Sequence, residues 1–572
     1  MEIHGQPLAP PRDGAADVRV PVLVVGAGPV GLTLALDLAW RGIPCLLAEV
    51  RHFREPPNVK CNHVAARTME QFRRLGVAAK VRAAGLPDDH PNDVAFRTAL
   101  TGREMSRVRI PSRLERFSDT SGPDGWWPTP EPPHRVNQVY LEPILVDHAV
   151  QQAGLTLANR LRVIDFVQDG AGVLAQAEDL DTGKRMAIAC DYLVGCDGAR
   201  STVRKAIGGT LSGQSEIKKV QSTLIDAPGL WDRVPGRRAW CYYALNPRRT
   251  GTIFCIDGRD RWLVHNSLRP DETDFDAVDR DRCLRAILGV DADFEFTVVS
   301  KEDWVARRLV ADRLRAGRAF IAGDAAHLWA PHGGFGMNAG IADALDLSWM
   351  LAARMQGWGA PGLLEAYQAE RLPITDQVSR HVAGHGSAKR DIEADIPARI
   401  EEDSAEGEAL RADLGQRNYA LHVRQFCAAG LNFGYYYDQS PIIAYDSETP
   451  PPYGMGEFTS STVPGCRAPH FRLRDGRSLY DACGPYYTLL RFDRSASIGA
   501  LEDAAAAAGM PLTVLEVEAD DVPAAYRHAL VLCRPDQHVA WRGDAVPGDA
   551  RALVELLRGA APSQNETTGD MD

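Results

Sequence analysis

The residues best suited to chemistry in this 572-residue chain are glycines and acids spaced to hold a dinucleotide. Gly26-Ala27-Gly28-Pro29-Val30-Gly31 has the Gly-x-Gly-x-x-Gly form, with Pro29 inside the loop. In that pattern Gly26 permits a tight turn and Gly28 lets backbone approach a pyrophosphate. Gly31 lets a helix pack closely on a strand, with its N-terminus facing the anion. Glu49, followed by Val50, lies 21 residues after Gly28, where a carboxylate accepts hydrogen bonds from a ribose diol. Two more acids end apolar runs, at Asp197-Gly198 and Gly323-Asp324. The second leads into Pro331-His332-Gly333-Gly334-Phe335-Gly336-Met337-Asn338. Its glycines allow close backbone approach, and the N-terminus of the following helix can hold partial negative charge on a second part of the same ligand.

The elements that must position these residues follow from pattern. Pro21 to Val25 reads as a buried parallel strand feeding a helix, and Ile43 to Ala48 as a second strand ending at Glu49. The stripe Val64, Met69, Phe72 and Leu75 predicts a helix stopped by Gly76, with Arg67 placed to reach back to the ligand or to lie in solvent. Another helix is expected from His134 to Leu145, with Gln138 at its entrance as a donor. Residues 88–135, rich in Pro, Asp, Gly and Arg and carrying Trp126-Trp127, read as an excursion from the nucleotide fold. Residues 216–303 hold short aromatic and β-branched runs separated by turn dipeptides, which predicts an inserted antiparallel sheet. Such a sheet makes a wall for an aromatic substrate.

Composition excludes several classes. The length implies two or three domains. With 64 Lys plus Arg against 76 Asp plus Glu and no long basic run, nucleic acid is not an expected partner. Met1 to Arg19 is polar, and residues 21–40 carry three glycines and Asp37, so neither a membrane span nor a signal segment is expected. Eleven cysteines without a C-x-x-C pair point to a reduced, cytoplasmic protein without a zinc site.

Together, Gly26-x-Gly28-x-x-Gly31, Asp197-Gly198 and Gly323-Asp324 with Pro331-x-Gly333-Gly334-x-Gly336-x-Asn338 resemble the single-component FAD-dependent aromatic hydroxylases, the family of para-hydroxybenzoate and phenol hydroxylases. The resemblance implies an α/β fold with a Rossmann-type FAD-binding domain over residues 20–390, interrupted by insertions at 88–135 and 216–303. A helical linker at 391–455 and a thioredoxin-like domain at 456–560 would follow. The latter lacks a redox pair, since Cys483 and Cys533 have no neighbouring cysteine, so a structural or dimer surface is its implied role. The implied ligand is FAD. Gly26, Gly28, Pro29, Gly31, Glu49 and Val50 would take its ADP half, and Asp324 its ribityl and pyrophosphate region. Asp197 is linked to both FAD and NAD(P)H, and Arg67 and Gln138 would be flavin contacts. Pro331, Gly334, Gly336, Met337 and Asn338 would lie beside the isoalloxazine. The implied reaction takes NAD(P)H and O2, forms a flavin C4a-hydroperoxide and hydroxylates a small phenolic or related aromatic substrate. NADH versus NADPH stays open, as do epoxidation on the same fold and a non-catalytic flavin-binding scaffold or sensor.

Removing a phenolic proton calls for a base or relay. Phenol hydroxylase relatives carry an aspartate five residues before the position of Arg67, but here it is Asn62, with His63 next. His63 with Tyr242 or Tyr243 is the expected relay, with Pro331 beside the reacting centre. His265, His327 and His332 compete. Tyr242 and Tyr243 alternate along one strand, so one of them at most faces the pocket.

Overall fold

Unbroken apolar runs become strands covered on both faces. In the computed structural model, which describes residues 1–7, 16–57, 59–329, 332–454 and 456–560, Val22, Leu23, Val24, Leu46 and Leu47 are all fully buried. They lie in the strands Val18–Val25 and Cys45–Glu49, which pair in parallel. The sheet has nine strands. Its parallel centre runs Leu155–Asn159, Cys45–Glu49, Val18–Val25, Arg185–Gly195, Ala319–Ile321. Its helices include α1 (Pro29–Trp40), α2 (Ala66–Arg74), α3 (Gln138–Ala149) and α4 (Phe335–Met355).

A second sheet of eight strands draws on both excursions from the nucleotide fold. Its order is His327–Leu328, Thr297–Ala311, Leu211–Asp226, Arg261–Ser267, Gly251–Cys255, Cys241–Ala244, Val94–Arg97, Glu104–Val108. Pairing is antiparallel except where Cys241–Ala244 meets Val94–Arg97 in parallel. Its long strands extend past 216 and 303, to Leu211 and Ala311. One face packs on the helix Arg280–Leu288, burying Ile253, Trp262, Val264 and Ile287. The other turns toward α5 (Leu363–Glu393) and α6 (Ala405–Phe426). The 391–455 stretch is therefore more than a linker: α6 puts Leu414 and Phe426 into the core of the second sheet.

The C-terminal part forms a four-stranded mixed sheet, Leu512–Glu516, Tyr487–Arg491, Leu530–Cys533, Val539–Gly543. The helices Gly499–Ala507 and Ala550–Leu557 accompany it. Every cysteine is a free thiol, and burial raises Cys483 to about 12. Trp126 is exposed at 65%, while Trp127 lies edge-on to Phe433 at 6.0 Å.

One buried charge joins α1, α2 and α4. Asp37 accepts from Arg41 Nε at 3.0 Å, from Arg74 Nη1 at 2.6 Å and from the Ser348 hydroxyl. Arg41 also donates to the Pro485 carbonyl at 2.6 Å, tying the C-terminal part to the same point. Burial alone would raise the Asp37 pKa, but the two guanidiniums bring it from 3.8 to about 2. Its folded pKa is thus depressed. The associated stability is complete above the unfolded value and is lost as pH falls toward about 2. Replacing Asp37 by Asn leaves two guanidiniums without their shared anion, and should cost about 3 kcal/mol in urea unfolding at pH 7. Between pH 4 and pH 2.5 the gap between wild type and variant should shrink.

Candidate functional site

The first glycine loop has the shape its spacing demands. Gly26 has φ +102°, and a Cβ there would overlap the Cys196 carbonyl. A Cβ on Gly31 would overlap the Gly26 carbonyl, so α1 sits directly on the turn. Gly28 differs: a Cβ there would meet nothing within 4 Å. It is the N-cap of α1, Pro29 opens the helix, and no side chain caps it. Such space beside an uncapped helix start suits a pyrophosphate.

Glu49 closes the strand beside it. Its Oε2 accepts from the Ala27 N–H at 2.7 Å, and its Oε1 from the Arg51 N–H at 3.0 Å and Nε at 3.1 Å. Burial opposes ionisation, but the Arg51 hydrogen bond and charge together with the two backbone N–H groups outweigh it and lower the pKa. Arg51 continues to Glu142 at 2.9 Å. A shallow cleft lies here, lined by Ala27, Glu49, Arg51, His52, Phe53 and Glu142 among others. Val50 is 45% exposed at the rim. Pro29 is buried in the first turn of α1. Asp197 Oδ2 caps the helix Thr202–Ala206 through the Thr202 N–H at 2.7 Å and the Val203 N–H at 3.2 Å. Its Oδ1 is buried without a partner, an acceptor left for a ligand or water next to Gly26.

The second motif converges on α4. Gly323 has φ +63° and touches Val30 of α1, and Gly340 of α4 packs on Gly323. Asp324 is exposed, yet it opens onto a concave space: the surrounding protein raises its pKa by desolvation, against the charges of His327 and Lys60. Two side chains lock this region. Asp343 accepts from the Gly323 N–H at 3.2 Å, from His327 at 2.7 Å and from Arg371 Nε at 2.8 Å. Asn338 accepts from the Ala65 N–H and the Thr68 hydroxyl, both at 2.8 Å, and donates to the carbonyls of His63 at 3.0 Å and Gly334 at 2.7 Å. Asn338 is thus saturated; it positions the loop. Gly334 is left-handed, φ +71°, and a Cβ there would press on His63 at 3.0 Å. Gly336 faces open space, Met337 is half-buried, and α4 again starts without a side-chain cap. Pro331 lies outside the described residues, as does the side chain of His332.

The two expected flavin contacts each hold a protein partner, while Arg67 Nη1 is buried without one. Arg67 Nη2 donates to the Asp536 carbonyl at 2.7 Å and its guanidinium lies over Tyr435 at 5.0 Å, which joins α2 to the C-terminal part. Gln138 donates its backbone N–H to Cys61 at 2.9 Å and its amide to Glu142 at 3.4 Å. Lys60, which sequence reasoning passed over, is near enough to lower the Asp324 pKa and pairs with Glu302 at 3.9 Å.

Beside the loop stands an aromatic wall. Arg135 donates to His63 Nδ1 and to the Phe426 carbonyl, and stacks over Trp240 at 4.8 Å and Phe426 at 5.7 Å. Trp240 meets Phe254 at 5.3 Å, and Phe254 meets His265 at 5.6 Å. Thr252, Phe254, His265 and Ser267 are partly accessible, whereas Ile253, Val264 and Trp262 on the opposite face are buried. The accessible face is the one beside the loop.

The expected relay is corrected by this arrangement. Burial, then the Arg135 and His134 charges, push His63 well below its ordinary value, and Arg135 already occupies Nδ1. His63 is therefore a neutral imidazole protonated at Nε2, a donor and a poor base. Tyr242 is on the far face, its hydroxyl accepting from the Ala239 N–H at 2.7 Å among Trp231 and Trp262. Tyr243 faces the site side, against His422 at 4.5 Å and Phe426 at 6.5 Å. It neighbours Gln425, whose Oε1 bonds His422 Nδ1 at 2.8 Å and which adjoins Gly333. His265 is held by the Ser222 hydroxyl at 2.6 Å, and His327 by Asp343.

The residues present fit FAD: two uncapped helix starts, open space at Gly28 and Gly336, an unpartnered carboxylate oxygen on Asp197 and an acid at Asp324. Gly28→Val should fold with an apoprotein Tm within about 3 °C of wild type yet retain under a tenth of its FAD. Gly31→Val, which drives a side chain into the turn, should give no folded protein. Flavin absorbance and thermal melts check both.

Comparison with known proteins agrees with this geometry. A family model described as FAD binding domain matches residues 19–382, and one described as aromatic-ring hydroxylase, C-terminal, matches 461–561. Tetracenomycin B2 monooxygenase-dioxygenase of Streptomyces olivaceus is 31% identical, with 94% of this chain and 98% of that protein covered. The rebeccamycin biosynthetic enzyme RebC with reduced flavin has TM-score 0.85 at 35% identity, covering 95% of this chain and 99% of that one. Aklavinone-11 hydroxylase in ternary complex with FAD and aklavinone has TM-score 0.76 at 28% identity, covering 95% and 98%. A FAD-type cradle abutting an aromatic wall, matched along nearly its whole length, places this chain in the family of FAD-dependent aromatic monooxygenases.

Proposed function

We propose that the protein is an NAD(P)H- and O2-dependent hydroxylase of a phenolic, polycyclic aromatic substrate. The observation that carries this reading is the continuous surface from the Gly334 to Asn338 loop through His63, Arg135, Trp240 and Phe254 to His265. Aromatic rings on a partly accessible sheet face suit a flat arene, and the names of the tetracenomycin and aklavinone relatives support a fused-ring compound.

Bound FAD supplies hydride acceptance and oxygen activation; the chain supplies placement. Asn338 and Asp343 hold the loop and the Asp324 turn in register. The aromatic wall orients the arene and excludes water. Tyr243, kept neutral because burial raises its pKa well above the ordinary value, holds its proton beside the Gln425 and His422 pair. It is the tyrosine on the site side, and we assign it the handling of the phenolic proton. The His63 Nε2–H is a second donor facing the same region.

Substrate-stimulated NAD(P)H oxidation with 18O2 should yield a product carrying one labelled oxygen. Tyr243→Phe should lower the hydroxylation rate about 100-fold, as loss of a proton-transfer group does, while flavin reduction by NAD(P)H stays within threefold. Tyr242→Phe, on the far face, should leave both rates within twofold. Equal losses in the two variants would contradict the assignment.

A further inference from the structure

The far end of the aromatic wall carries a charge that neither the flavin cradle nor the proton network uses. Lys218, Val220 and Ser222 alternate along Leu211–Asp226 onto the accessible face, in register with Ser267 and His265 of the next strand. The Lys218 ammonium makes one hydrogen bond, a long one of 3.4 Å to the Ser267 hydroxyl, and among the described residues no carboxylate lies within ion-pair distance of it. Of the other cations nearby, Arg390 donates to the Ser387 hydroxyl at 2.9 Å, and Lys389 lies over the Tyr243 ring at 5.2 Å. Lys389 of α5 pairs with Glu393 at 2.7 Å, and Arg135 is taken by His63 and Phe426. Glu302, on the same sheet face, pairs with Lys60 at 3.9 Å. Three cations, Lys218, Lys389 and Arg390, thus gather around one carboxylate, Glu393. Burial, then Lys389, holds the Lys218 pKa down to about 7, the expected response of an ammonium that lacks its counterion.

The row from Tyr243 through Thr252 and His265 to Ser222 crosses four neighbouring strands. At strand spacings of about 4.8 Å, that wall is about 14 Å long. Lys218 stands just beyond the Ser222 and His265 end of that row, against Ser267, so a fused-ring molecule with one edge at Tyr243 would bring its opposite edge toward Lys218.

We propose that Lys218 is the receptor for a carboxylate on the substrate, so that the preferred substrates are polycyclic arenes bearing an acid group at the end remote from the flavin. This rests on the reading of the aromatic wall as the substrate site. A carboxylate seated there gives the ammonium its missing partner, with the Ser267 hydroxyl as a further donor, whereas a neutral substituent leaves the ammonium buried without an anion. Lys218 is then a specificity-determining residue, remote from the reacting atoms.

The test is equilibrium titration of the FAD-loaded protein at pH 6.5, followed by flavin absorbance, with anthraquinone-2-carboxylate and with anthraquinone-2-carboxamide. The acid should bind at least tenfold more tightly than the amide. Lys218→Gln should reduce that ratio below twofold, and Lys218→Arg should keep most of it. Equal binding of acid and amide by the wild type overturns the proposal, even if the Gln variant fails to fold, and so does an undiminished ratio in that variant. If neither probe perturbs the flavin, the aromatic wall is not the substrate site and both readings fall together. Binding of both without discrimination rejects only the role of Lys218.

Discussion

The site depends on helix α4 being held in one place by two side chains with no spare hydrogen-bonding capacity near the cofactor loops. Asn338 ties the first turn of α4 to the 63–68 segment through three hydrogen bonds and to the Gly334 carbonyl through a fourth, and Asp343, further along the helix, ties it to the Gly323 turn and to α5. Because the helix start has no side-chain cap, its N–H groups remain available to a ligand only while those ties fix where it begins. The same device appears at α1, which Asp37 anchors to α2 and α4. Buried acids on the helix bodies thus leave the helix starts free.

The C-terminal part continues this scheme. Arg534, fully buried, pairs with Asp346 of α4 at 3.1 Å and also with Glu370 of α5, each within one turn of the cofactor-side residues Asp343 and Arg371. Arg371 reaches the Tyr437 hydroxyl at 3.3 Å, and Arg67 reaches the Asp536 carbonyl at 2.7 Å. Buried pairs of this kind contribute little net stability but penalise any other arrangement strongly. The C-terminal sheet is built into the support of the nucleotide domain through these charges, which is more than the appended surface its lack of a cysteine pair suggests.

Local signals were enough for the cradle. The roles of Gly26, Gly28 and Gly31 follow from spacing, since each answers a backbone constraint within one turn, and the inserted sheet follows from its alternating aromatic runs. What stayed hidden depends on tertiary pairing. Nothing in the vicinity of Arg67 announces Asp536, 469 residues away. Asn338 was legible as part of a loop motif, but its role as a saturated clamp needs Ala65 and Thr68 brought beside it. The chain around His63 suggests a relay with a tyrosine, and Arg135, from a different segment, alters that by filling Nδ1. The alternation of Tyr242 and Tyr243 told that they part company; which one faces the site depended on where α6 lies. The strands Val94–Arg97 and Glu104–Val108 were masked by their polar, proline-rich surroundings.

The central claim is geometric: one elongated ligand spans both glycine loops, and its reactive end meets the aromatic wall. A crystal structure of the purified protein with FAD tests it directly. The account predicts the pyrophosphate at Gly28 over the start of α1, and the isoalloxazine against Gly334 to Asn338 with an open face toward Trp240 and Phe254. A flavin ring lying more than about 10 Å from that wall, or a pyrophosphate bound away from Gly28, would contradict it.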